Sequence, residues 1–590
     1  MRSGVDHLRK GWDKAGWYSK AMNQMRRSIR RTSIGILAGG LASPALAFTI
    51  GPWNLGLLFG IALGGIYAAS LRPASRAYAD NLMAGAALSI PLWSLISVVA
   101  LPIFAGQAPA WSAEGIRAHF PALMGWVLYG AIFGVINQGM SDWATTLWGP
   151  EAEPSTATPA PITRIVILGG GFAGMKTAQC LEELLKSDIS MHITLVSETN
   201  ALLFTPMLAE VAGSSLEPSH ISAPLRSSLR RTEFVRARTA GIDLEKRFVL
   251  LEGITPGAAL AESREIPYDQ LVLALGAVPN YPGMPKVEEL AFNFKSLIDA
   301  IRIRNHVIEM FERADREPDA ARRVPLLTFV VAGGGFAGVE LAGALNDFAH
   351  GILADYPHLR RDEVRVVLVH AHDRILPELS ESLGHYARTK MEERGVEFRL
   401  NARLTDARPG IIVLNEGEIR SETLVWTAGT TPSPIIKALN VEKDKHGAVK
   451  VNAYLAISSQ ACVWALGDCA AVTDAKSGKP CPPTAQFALR EAVTLASNVA
   501  AHLAGRPMKT FHFDSLGALC VIGHQTACAE LTVPFARTRA VRFSGLLAWL
   551  MWRGIYLSKL PGLERKIRVL FDWIVELFFP RDIVQTIDLK

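Results

Sequence analysis

Six residues, GGGFAG, occur twice in the chain, at Gly169–Gly174 and again at Gly333–Gly338. Each copy follows an apolar run, RIVIL before the first and LLTFVVA before the second, and each passes into a helical pattern. A strand that ends in G-x-G-x-x-G and turns at once into a helix leaves few folds open. The first glycine permits a tight turn, the second lets a pyrophosphate approach the backbone, and the third lets helix and strand pack closely. The free N–H groups at the helix start then face the phosphates. The repeat therefore predicts an α/β chain with two dinucleotide-binding (Rossmann-like) domains, one for each glycine turn.

The first copy supplies Gly169, Gly171 and Gly174, with Phe172 and Ala173 opening the helix. Its second strand, HITLVSE, ends in Glu198, where a carboxylate suits a ribose hydroxyl pair. The second copy supplies Gly333, Gly335 and Gly338, and its next strand is VRVVLVHAHDR. Much later, VWALGDCA (463–470) is an apolar strand ending in Gly467-Asp468. In a chain with two such folds, an aspartate there is expected on the ribityl chain of FAD. YDQLVLALGAVPN and ETLVWTAGTTPSP read as strand-then-glycine crossovers at Gly276 and Gly429, where a chain passes between two nested domains. The expected assignment is FAD in the first fold and NAD(P)H in the second, with the first domain completed after the second.

Ahead of both lie four apolar stretches, about 33–50, 54–71, 82–105 and 120–140, without Asp, Glu, Lys, Arg or His. Each approaches the roughly 20 residues that cross a bilayer as helix. Glycines four apart (Gly35/Gly39, Gly56/Gly60/Gly64, Gly130/Gly134) allow close helix approach in lipid. The formal net charge of +6 is concentrated in residues 1–32, which hold nine Lys/Arg against two Asp. The rest of the chain is near neutral, so a nucleic-acid face is not expected. The basic tail, with Arg72 and Arg76 in the next connection, predicts a cytoplasmic N-terminus and a soluble body facing the cytoplasm. A signal peptide cleaved after Ala47 is the alternative for the first stretch, and it leaves the body on the same side.

The boundaries follow: a basic tail (1–32), an all-α region of four transmembrane helices (33–141) and a linker (142–162). The FAD domain comes in two parts (163–295 and 431–540) around the NAD(P)H domain (296–430), with a C-terminal membrane-binding region after it (541–590). Six irregularly spaced cysteines read as reduced thiols, with neither a disulfide framework nor a metal site.

At this point the chain resembles the type II NADH:quinone oxidoreductases, over about residues 163–585. The resemblance rests on both hexapeptides, on LLFTPMLAEVAGSSLEPSHISAPLR (202–226), on PPTAQFALREAV (482–493) and on the tail 544–578. It implies FAD as cofactor, NAD(P)H as co-substrate, and a quinone and a lipid bilayer as partners, with a homodimer left open. It also implies a place in the cytoplasmic membrane. Thr205 and Pro206 fall in the family's flavin-contacting segment, while Ala485 and Gln486 fall in its quinone-site helix. Glu340 matches a glutamate near the flavin. The chain departs from the pattern twice: Arg490 replaces a second glutamine, and His370 replaces the acid that ends the second strand of the NADH domain. In the tail, Glu564, Arg568, Asp572 and Glu576 form a polar stripe opposite Ile567, Leu570, Phe571, Ile574 and Phe578, amphipathic helices suited to a bilayer interface. A sulfide:quinone or disulfide oxidoreductase would share both folds but needs a cysteine pair beside the flavin. A membrane transporter or scaffold with an accessory flavin domain would need ionisable groups in its spans.

Overall fold

The computed structural model describes residues 32–46, 53–70, 78–109, 113–148, 162–186, 188, 190–253, 264–532 and 540–585. The basic tail and most of the linker lie outside the described residues. The chain divides into two compact units, Met1–Glu153 with Gly545–Ile567, and Pro154–Ser544 with Arg568–Lys590.

The first unit is helical. Two of its helices, Tyr78–Phe104 and Phe120–Ala144, are long and apolar enough to cross a membrane, whereas Thr32–Ala42 and Gly56–Tyr67 are shorter. Two of the four expected spans are therefore of crossing length among the described residues. The glycine spacing acts as expected of it. A Cβ on Gly85 or Gly134 would strike backbone of the facing helix, at Gly130 and Asn81, and one on Gly39 would strike the Gly60 carbonyl. Pro91 removes an N–H from the first long helix, and a π-helical segment follows at Ser94–Ala100. Helix Gly545–Lys559 packs here as well, its Gly554 set against Pro91 and Ala87. This first helix of the tail is largely buried in protein.

The second unit is α/β. One parallel sheet runs in the order Val463–Ala465, Gln270–Leu273, Thr163–Leu168, Met191–Ser197, Glu233–Arg236. A second runs Phe292–Asn293, Thr423–Trp426, Thr328–Ala332, Arg365–Val369, Val396–Arg399, again parallel. The correspondence goes past the hexapeptides. Within each sheet's chain a three-stranded antiparallel meander is inserted, Arg238–Asp243, Phe248–Glu252 and Arg264–Pro267 before strand Gln270–Leu273, and Leu404–Arg408, Ile411–Leu414 and Gly417–Arg420 before strand Thr423–Trp426. Buried β-branched runs such as Ile165–Leu168 and Phe329–Val331 supply both cores, as parallel strands covered on two faces require. A third, antiparallel sheet (Gly517–Gly523, Thr526–Thr532, Ala540–Ser544) packs on helix Phe336–Gly351. Contact is close enough at Gly343 that a side chain there would meet the Ile522 backbone.

Candidate active site

Both glycine turns have the same internal geometry. Gly169 and Gly333 have φ of +110° and +128°, which L side chains rarely adopt. A Cβ on either would run into the crossover strand, at Ala274 or at Thr427. Gly174 and Gly338 pack on the carbonyls of Gly169 and Gly333. The middle glycines differ in kind from these. Around a Cβ on Gly171 no described atom lies within 4 Å, and its φ of −74° suits any residue. Gly335 is equally unstrained and meets only the Glu378 carboxylate, at 3.3 Å. Gly171 and Gly335 are also the N-caps of their helices and contribute no side chain, so the first-turn N–H groups have no side-chain cap there. An open backbone at an uncapped helix N-terminus fits a pyrophosphate, and the fit holds for both turns.

Around the first turn the structure gathers residues from distant parts of the sequence. A Cβ on Gly467 would touch Ala173 and Ala488, so the Gly467-Asp468 turn sits where helices Phe172–Leu184 and Ala485–Leu503 meet. Phe172 lies edge-on to Phe204, the residue before Thr205 and Pro206. The crossovers meet each other: strands Ala277–Pro279 and Thr430–Pro432 pair antiparallel, with Asn280 N–H donating to the Gly429 carbonyl at one end and Ser433 N–H to the Gly276 carbonyl at the other.

Hydrogen bonds at the strand tips fix their register. Gly169 N–H donates to Val196 and Gly333 N–H donates to Val369, which places Ser197 level with His370 and Glu198 level with Ala371. Ser197 and His370 are the residues that face Gly170 and Gly334. Glu198 lies one residue further along, half-exposed and 3.6 Å from Arg238. The His370 ring accepts the Gly334 N–H at Nδ1 (3.0 Å), so its proton resides on Nε2, which is buried without a partner among the described residues. Burial, and then the neighbouring His372, lower its pKa, so the ring is neutral and presents a donor where an acid would present an acceptor. Arg374 is turned to the Pro377 carbonyl.

Glu340 and Gln486 converge on one strand. Gln486 donates to the Gly517 carbonyl (3.2 Å) and accepts the Leu516 N–H (3.0 Å), while Glu340 accepts the Val521 N–H (3.4 Å). Arg490 is exposed, with its guanidinium 5.3 Å over the Phe513 ring.

Two residues of the site escape a reading by motif. Lys295 donates to Asp468 over 3.3 Å, from just before the Ser296/Asp299 capping box of helix Leu297–Arg316. Glu491 is only 3% exposed and accepts the Gly467 N–H at 2.7 Å. Burial pushes its carboxyl up to about 7, with Asp468 adding to the shift. Its one sequence signal is an acid inside the apolar stripe Phe487, Ala488, Ala492, Leu495.

Comparison with known proteins gives the family. A family model for pyridine nucleotide-disulphide oxidoreductases matches residues 163–492, and one for the NDH2 C-terminal domain matches 516–582. The type II NADH:quinone oxidoreductase Ndh of Mycobacterium tuberculosis is 34% identical over 448 residues, covering 73% of this chain and 91% of that one. The chain belongs to the type II NADH:quinone oxidoreductases. As a member of that family it is an oxidoreductase with FAD as cofactor and NADH as substrate. The internal alternative NAD(P)H-ubiquinone oxidoreductase A1 of Arabidopsis thaliana is 28% identical and covers 71% of this chain and 85% of its own. The structure of NDH2 from Plasmodium falciparum in complex with NADH aligns at TM-score 0.64 and 17% identity. It covers 72% of this chain and all of its own, and shares the type II oxidoreductase fold.

Proposed function

We propose that this chain carries two electrons from NADH, through FAD, to a membrane quinone. The observation that carries the reading is the pair of glycine turns, each open at its middle glycine, joined to a C-terminal sheet of the NDH2 type. In this reading the first domain, 163–295 with 431–540, nests around the second, 296–430. FAD lies along Gly169, Gly171, Phe172, Ala173 and Gly174, with Ser197 at the ribose. Thr205, Pro206, Gly276, Gly467, Asp468 and Ala485 complete its site. The nicotinamide nucleotide lies along Gly333, Gly335, Gly338 and Gly429, with His370 at the adenosine ribose.

When bound, FAD supplies the hydride acceptor and the two-electron donor. The protein's part is to position, insulate and balance charge. Helix Ala485–Leu503 starts at Thr484, whose side chain makes no cap bond, so its positive end is open to negative charge in the flavin site. Glu340 and Gln486 hold strand Gly517–Gly523 as one wall of the quinone site, with Glu340 as the proton-carrying group. Arg490, a fixed cation where the family has an amide, meets a polar headgroup or an anionic quinol.

The four apolar stretches serve as transmembrane helices that leave the catalytic unit on the cytoplasmic side of the cell membrane. The last helix adds a second anchor. Its polar side is engaged by protein, Asp572 with His220 at 2.6 Å and Trp573 with Glu210 at 3.3 Å. Its Phe571, Ile574 and Val575 are exposed, followed by Leu577, Phe578 and Phe579, an apolar surface suited to lipid.

The deciding experiment is anaerobic. The purified protein is yellow and bleaches with NADH, and a quinone restores the colour faster than oxygen or a disulfide does. A colourless preparation, or faster recovery with the disulfide, would sink the reading.

A further inference from the structure

The Gly467-Asp468 turn is held from two sides. Lys295 binds the Asp468 carboxylate, and Glu491 binds the Gly467 backbone N–H from beneath. The second hold differs from an ordinary structural hydrogen bond. A carboxyl group is buried in the contact between two helices, against a turn that already carries the charge of Asp468. A serine or asparagine would accept the same N–H without that electrostatic cost.

We propose that Glu491 is the proton-balancing residue of the flavin site, taking one proton from water when an electron pair enters the first fold and returning it when the pair leaves. This rests on the assignment of FAD to that fold. A hydride brings two electrons and one proton, so each arrival adds one negative charge to a space walled by protein. In such a low-dielectric site an added charge is felt strongly by a carboxylate a few ångströms behind the turn. Glu491 is poised to respond, because burial already sets its proton affinity at neutrality. The only bond made or broken at Glu491 is its own O–H.

The charged surroundings favour this residue. Asp468 faces it across the turn and is itself neutralised by Lys295. The Cys481 thiol, just before the helix, is pushed up to about 12 by burial and then by Glu491 itself, so it stays protonated. Ala173 closes the turn from helix Phe172–Leu184 and carries no charge. Arg490, next in the helix, is exposed over Phe513 and faces away. Thus among the described residues no cation neutralises Glu491 directly, and a proton is the compensation left to it. Protonation also weakens its hold on Gly467 N–H, which ties the charge state of the site to the turn that grips the ribityl chain.

The test is the midpoint potential of the bound flavin, titrated from pH 6 to 9 in the full-length protein. Below about pH 7 Glu491 is protonated in both redox states, and the wild type and Glu491→Gln follow the same slope. Above it the wild type takes up one further proton per electron pair, steepening its slope by about 30 mV per pH unit. Glu491→Gln keeps an acceptor for Gly467 N–H but has no proton site, so its line stays straight. A protonated-carboxyl band should also grow on reduction above pH 7 in the infrared difference spectrum of the wild type alone. A wild-type line of one slope across the range overturns the proposal, and so does a break that survives in Glu491→Gln. If the variant does not hold flavin, the wild-type slope still decides. A wild-type protein without flavin would instead overturn the assignment of the first fold.

Discussion

At the first glycine turn the residue facing the glycine loop from the strand tip is Ser197; at the second it is His370, just past strand Arg365–Val369. The space over Gly171 is free of described atoms, while Gly335 has Glu378 beside it. The larger difference is where the surroundings come from. The first turn's helix meets Gly467 at Ala173, and the Gly467-Asp468 turn is itself held by Lys295 and Glu491, residues far away in the sequence. The second, beyond the Thr427 crossover that matches Ala274 at the first, is bordered by His370 and Glu378, from the loop that directly follows its own strand. In the proposed reading one backbone device holds a pyrophosphate in both cases. Whether the ligand stays or leaves is set by what closes over it. Distant chain suits a resident cofactor, and a local loop suits a substrate that departs every turnover.

The sharpest way to break this comparison is Gly171→Val. The backbone accepts the side chain, so the fold should persist by circular dichroism, while the pyrophosphate loses its space. Flavin content should fall below about a tenth of one per chain. Gly335→Val is the matched change and should leave flavin content whole. Its kcat/KM for NADH should drop at least about a hundredfold, about 2.7 kcal/mol. If the two variants lose flavin alike, the turns are not specialised and the comparison fails. The smallest effect is expected at the strand tip. A neutral imidazole donor does not repel a 2′-phosphate as a carboxylate would. The ratio of kcat/KM for NADH over NADPH should lie under about a hundredfold in the parent and rise at least about tenfold in His370→Glu. A parent already above a hundredfold would remove His370 from any role in selectivity.

Much of this was legible because the chemistry of a phosphate-binding turn constrains consecutive residues. Strand, glycines and helix lie within about twenty positions, and Gly276 and Gly429 announce the crossovers in the same local way. The register at the strand tip was not legible by the same means. HITLVSE displays an acid one residue beyond the position that faces the glycine loop, and only the Val196 hydrogen bond tells Ser197 from Glu198. Glu491 was hidden because an acid at a buried helical phase has no motif; its partner, Gly467, is twenty-four residues earlier. The tail's polar stripe was read correctly as a stripe. Its neighbour was not legible, since Asp572 turns to His220, more than 350 residues away. Among the apolar stretches, composition alone could not separate the helices of crossing length from the two shorter ones.

Strand Val463–Ala465 pairs with Gln270–Leu273, so the first sheet waits for an edge made nearly two hundred residues later. The second sheet has all its strands by Trp426. As the chain leaves the ribosome, the second fold is therefore whole while the first still has an open side. With FAD in the first fold, as proposed, its loading is then a late event in biosynthesis, and a chain truncated between these points would bring a finished nucleotide domain into the cell with no redox centre to serve.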